Sequence, residues 1–114
     1  MPHFIIDCSE NIMALKSPKE IMQIVYEAAE STNLFDDGDI KVRLNPYKYY
    51  NNGNTINDFI HVFANIMEGR NSGQKYKLSK QIVTELKLMF PETPIISINI
   101  RDFEKATYCN RSMV

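Results

Sequence analysis

The chain opens Met1-Pro2-His3-Phe4-Ile5-Ile6-Asp7-Cys8. An initiator Met before a small residue such as Pro is normally removed. Removal here leaves a secondary amine on a rigid ring that leads straight into an apolar strand. A free α-amino group titrates near pKa ~8. An apolar pocket beside cations disfavours the charged form and brings that value towards neutrality. A neutral amine at working pH is a general base. Many chains begin Met-Pro, so the pair gains meaning only from its neighbours along the chain. Lys41 and Arg43 stand two apart in Ile40-Lys41-Val42-Arg43-Leu44, a spacing that places both on the same face of a strand. Arg70 follows Gly69 in a turn, and Arg101 follows the last apolar run; Arg101 reads as a plain surface residue. His3, His61, Cys8 and Cys109 are too dispersed for zinc spacing, so no metal is expected. The chain has no Gly-rich phosphate loop, nucleophile elbow or distinctive carboxylate pair.

Those residues need elements to hold them, and the periodicity supplies two similar halves. Strand one is Pro2 to Cys8. Ser17-Pro18-Lys19-Glu20 announces a helix, with Ser as N-cap, Pro at the first helical position and Glu completing a capping box. Ile21, Val25 and Ala28 give that helix an apolar stripe. Strand two runs from about Ile40 to Leu44, with Pro46 obstructing its extension to Tyr50. Asn51-Asn52-Gly53-Asn54 marks a turn. Residues 58–67 read as a third strand, 74–90 as a second helix with Leu78, Ile82, Leu86 and Met89 inward, and 95–100 as a fourth strand. Two βαβ units then make a four-stranded mixed sheet, an α+β fold, and right-handed crossovers put both helices on one face. The other face is expected to be apolar and to need covering, which oligomerisation would supply. The same string of elements also describes ferredoxin-like ligand-binding and regulatory domains.

Composition narrows the class. A chain of 114 residues makes one domain with a modest core. Hydrophobic residues are 44% of it, yet no apolar run approaches the ~20 residues that span a bilayer. No signal peptide is evident, since Asp7 interrupts the early apolar run. Two cysteines at opposite ends suit a reducing cytoplasm, where the sequon Asn110-Arg111-Ser112 has no meaning. The net charge of −1 argues against general nucleic-acid binding, which needs a basic field. Tyr47-Lys48-Tyr49-Tyr50 accordingly reads as an exposed loop or subunit contact rather than a base-stacking platform.

The opening Pro2-His3-Phe4-Ile5-Ile6-Asp7-Cys8-Ser9-Glu10-Asn11-Ile12 resembles the N-terminus of 5-carboxymethyl-2-hydroxymuconate isomerases, a family of the tautomerase superfamily. The likeness continues through Thr32-Asn33-Leu34-Phe35, the basic strand Lys41-Val42-Arg43, Phe59-Ile60-His61-Val62, Gly69-Arg70 and Ala106-Thr107-Tyr108. It implies a tautomerase fold, assembly as a homotrimer with sheets around a common axis, and a 1,3-allylic proton shift on an unsaturated carboxylic acid, for which no cofactor is expected. Pro2 is then the general base, while Arg43, Arg70 and Lys41 bind the substrate's carboxylates. Lys41 departs from the family, which carries arginine at the first of the paired strand positions, and Lys lacks Arg's bidentate fork. The C-terminal tail also lacks the usual Asn-Asn pair. A tautomerase-fold hydratase or decarboxylase and a non-enzymatic binding module remain as alternative readings.

Overall fold

The computed structural model describes residues 1–114. The elements run β1 (His3–Ser9), α1 (Pro18–Glu30), β2 (Lys41–Tyr47), β3 (Phe59–Met67), α2 (Ser72–Met89) and β4 (Ile95–Phe103). Short 3-10 turns at Glu10–Ala14, Lys105–Thr107 and Arg111–Met113 join or follow them. The sheet order is β2-β1-β3-β4, with β1 parallel to β2, β3 parallel to β4, and the central pair β1 and β3 antiparallel. In each βαβ unit the two strands are direct neighbours. A ferredoxin-like sheet instead splits its βαβ units with an intervening strand, so the observed order excludes that alternative.

Alternation sets the layers. Phe4, Ile6 and Cys8 of β1, with Ile60, Val62, Ala64 and Ile66 of β3, point to one face and are fully buried. Both helices cover that face. Ile21, Val25, Ala28 and Ala29 of α1 meet Leu78, Ile82 and Leu86 of α2 in the same core. Each helix start is closed reciprocally. Ser17 Oγ accepts from the Glu20 amide at 3.2 Å while Glu20 accepts from the Ser17 amide at 3.2 Å. Asn71 and Gln74 repeat the arrangement at 2.8 and 3.0 Å for α2. The second box starts α2 two residues before its sequence-expected position.

β2 also runs further than expected, through Pro46 to Tyr47. As an edge strand it tolerates a residue that cannot donate, because the missing N–H faces away from β1. β4 is likewise extended to Phe103. No helix is long and apolar enough to cross a membrane.

Candidate active site

The face without helices is built in rows that the strand registers define. At the end where the chain enters β1, Lys41, His3, Asn65 and Arg101 lie side by side. Arg43, Ile5, Phe63 and Asn99 form the next row, and Asn45, Asp7, His61 and Ser97 the third. With strands ~4.8 Å apart, a row reaches about 14 Å from β2 to β4. The expected apolar face is therefore corrected: Ile5 and Phe63 are interleaved with polar and charged side chains. Alternation within each strand moved most of the apolar surface to the helix side.

The first two rows carry the cations of this face, Lys41 and Arg101 in the first and Arg43 in the second. Arg43 is exposed, and its Nη1 donates to His3 Nδ1 at 3.1 Å. Lys41 Nζ donates to the Asp39 carbonyl at 2.8 Å and lies 3.9 Å from its carboxylate. The other Asp39 oxygen is 3.4 Å from the N-terminal ammonium on Met1. Asp39 thus draws Lys41 and the chain's amine to one place. Arg101 is exposed and makes no ion pair or hydrogen bond through its side chain.

Pro2 sits immediately before β1 with its side chain fully buried. Its carbonyl accepts from the Lys41 amide at 3.0 Å, which joins the residue to β2. Alternation from Phe4 puts its ring on the core side, whereas Lys41 and Arg43 occupy the open face. The cations therefore share a face with His3, not with the Pro2 ring, and approach Pro2 at the strand end.

Arg70 lies at the same end of the sheet but is turned to the helix side. Nη2 donates to the Leu34 carbonyl at 2.6 Å and Nη1 to the Met67 carbonyl at 3.2 Å. Its guanidinium stands 5.0 Å from the Phe35 ring, which meets the core residue Phe4 edge-on at 6.0 Å. Arg70 thereby ties the α1–β2 loop to the turn after β3. Three of its five N–H groups remain without these partners.

The sequence offered no role for either histidine beyond excluding zinc spacing, and the structure gives each a defined partner. His61 lies between Ser97 and Asn99, at 2.7 Å from Nδ1 to Oγ and 2.6 Å from Nε2 to Oδ1. Asn99 Oδ1 can only accept, so Nε2 carries the proton and Nδ1 accepts from Ser97. His3 is held below its ordinary value, first by burial, then by the Arg43 and Lys41 charges and the N-terminal ammonium, with Asp39 opposing. Deeper in the sheet, Tyr47 donates to Asp7 at 3.3 Å, and the Asp7 carboxylate holds that phenol above its ordinary value. The second Asp7 oxygen is buried without a partner in the chain. No signal in the sequence could have found His3, since only the register His3↔Lys41 places it within reach of Arg43.

Comparison with known proteins gives a consistent answer. No match was found among curated protein sequences. Among solved structures, a 5-carboxymethyl-2-hydroxymuconate isomerase from Deinococcus radiodurans R1 is similar at a TM-score of 0.83 and 19% identity, covering 96% of this chain and 88% of that one. Pt0534 inactivated by 2-oxo-3-pentynoate has the same score and identity, with 98% and 94% covered. A fused wild-type 4-OT symmetric trimer, W0, matches at 0.80 and 13% identity, with 98% and 95% covered. At these identities the structural matches establish the tautomerase fold. The family model for 5-carboxymethyl-2-hydroxymuconate isomerase matches residues 2–112, and the chain belongs to that family.

Proposed function

We propose that the chain, once it begins at Pro2, is an isomerase catalysing a 1,3-allylic keto–enol proton transfer on a 2-hydroxymuconate-type unsaturated acid. The observation that carries this reading is the placement of the Pro2 nitrogen. It directly precedes the buried strand β1, and the Pro2 carbonyl accepts from the amide of Lys41, whose side chain and that of Arg43 lie on the open sheet face. While Met1 is attached that nitrogen is an amide and cannot act as a base. When Met1 is absent it is a secondary amine in a low-dielectric position near Lys41 and Arg43, both of which favour its neutral form.

The neutral amine takes the 2-hydroxyl proton of the dienol and returns a proton to a carbon further along the conjugated chain. The product is an unsaturated 2-keto acid, with no net change in redox state. Arg43 binds a carboxylate bidentately, Lys41 adds point-charge attraction, and Arg70 contributes through its remaining N–H groups. Their fields offset the developing dienolate charge, which is commonly the largest part of such catalysis. The chain assembles as a homotrimer through the open face, where the unpartnered Asp7 oxygen needs a donor.

The test combines mass spectrometry with ultraviolet assay of 2-hydroxymuconate ketonisation. Chains beginning at Pro2 should turn over, and 2-oxo-3-pentynoate should add once per chain on the N-terminal peptide, because a neutral amine attacks an electron-poor alkyne. Activity should rise with pH through an apparent pKa below ~8. Full activity in chains that retain Met1 would overturn the reading, and a stable monomer by light scattering would overturn the assembly.

A further inference from the structure

We propose that His3 is a positioning residue: its unprotonated Nδ1 accepts from Arg43 and holds the guanidinium at the Pro2 end of the open face, ready for a substrate carboxylate. The inference rests on the functional reading above only in naming that carboxylate. The hydrogen bond itself stands on geometry. Arg43 Nη1 lies 3.1 Å from His3 Nδ1, and an arginine can only donate. The imidazole is therefore neutral at Nδ1 and carries its proton on Nε2. Arg43 has no carboxylate partner within the chain, so His3 is the only side chain that fixes its direction.

The surroundings favour the neutral ring. Arg43 and Lys41 face it from β2, and the N-terminal ammonium from the chain start, with Asp39 of the α1–β2 loop as the single opposing charge. β3 contributes the uncharged Asn65 as its register partner. Removing Met1 brings the terminal nitrogen one residue closer, so protonation of Pro2 and of His3 disfavour each other. Protonating His3 replaces an acceptor with a second cation, and Arg43 is then released and repelled. Carboxylate binding should consequently weaken as pH falls through the titration of His3, by more than partial protonation of the ligand's own carboxylates near pH 5 accounts for.

The experiment pairs histidine nitrogen NMR with calorimetric binding of glutaconate, an unsaturated dicarboxylate, between pH 5 and 8. In the Pro2-initiated protein, His3 should show the Nε2–H tautomer and titrate below 6.5, returning towards 6.5 in Arg43→Ala. Glutaconate Kd should rise at low pH. His3→Ala should weaken binding at pH 7.5 by about two- to tenfold, the range for one exposed hydrogen bond. His3→Asn places a carbonyl oxygen where Nδ1 stood, so it should restore binding at neutral pH and remove the loss of affinity at low pH. A His3→Asn profile identical to that of the wild type overturns the proposal, as does an Nδ1–H tautomer. Binding and NMR need no turnover, so an enzyme inactive on 2-hydroxymuconate that keeps both signatures would refute the reaction and support the role of His3.

Discussion

Replacing Arg70 with Ala removes three contacts at once: the hydrogen bonds to the Leu34 and Met67 carbonyls and the stacking on Phe35. A hydrogen bond from a charged donor contributes about 1.5–3 kcal/mol, and an exposed cation–π contact about 0.5–1. Both carbonyls become accessible to water once the side chain is truncated, which brings the cost below the ~3.5 kcal/mol to which the lower bounds sum. The net cost is then about 2–3 kcal/mol. Unfolding entropy near ~2.1 cal/mol/K per residue gives about 240 cal/mol/K for this chain, so Tm should fall by about 10 °C. Calorimetry at fixed protein concentration measures this cleanly, since the proposed assembly would make Tm concentration-dependent. Arg70→Lys keeps a charge and one donor but loses the planar fork, and should recover about half of the loss. A Tm within about 2 °C of the parent would refute the latch and leave Arg70 as a substrate-facing residue alone.

Other substitutions discriminate among the remaining roles. Arg43→Ala should cost about 2–4 kcal/mol of transition-state stabilisation in kcat/KM. Lys41→Ala should cost clearly less, because Asp39 already engages Lys41; the reverse ranking would move the family arginine's role to the lysine. Burial pushes the Cys8 thiol up to about 11 from an ordinary 9.0, with the Asp7 charge adding to it. Between those values the unfolded chain loses a proton that the folded chain keeps. Stability contributed by this group is complete below pH 9 and declines by about 2–3 kcal/mol as pH rises to 11. Cys8→Ala should remove that component of the slope in denaturant titrations, even if its cavity lowers stability throughout. Ser17→Ala and Asn71→Ala should each cost about 1 kcal/mol by opening a capping box, and an unchanged urea midpoint would refute the caps' contribution.

Most of the architecture was legible because it follows from local rules. Ser17-Pro18-Lys19-Glu20 specified a helix start that the structure forms atom for atom, and Leu78, Ile82 and Leu86, read as the inward face of the second helix, are buried. Boundaries set by tertiary context were less visible. Pro46 was a reason to stop β2, until its edge position removed the demand for a donor. The site was harder to read because it depends on register between strands about forty residues apart. Lys41 and Arg43 were correctly placed on one face, yet nothing in their spacing revealed that His3 would lie between them and Pro2. Arg70 illustrates the opposite difficulty. Its neighbours Gly69 and Asn71 marked a turn, but its partners Leu34 and Phe35 belong to a distant loop.

The sheet has an approximate twofold axis between β1 and β3, relating β1-α1-β2 to β3-α2-β4. Asp58 precedes β3 as Pro2 precedes β1. There the resemblance between the halves ends chemically. Asp58 is tied to the first half by Ser9 at 2.9 Å and Asn11 at 3.3 Å, and its nitrogen is locked in a peptide bond. A duplicated scaffold can repeat strands, helices and caps, but a covalent chain has only one beginning. Any reaction that depends on a terminal amine is therefore restricted to one end of this sheet. The opposite end is free to evolve as structure, and each copy of the chain can bring one terminal amine, not two, to whatever assembly it joins.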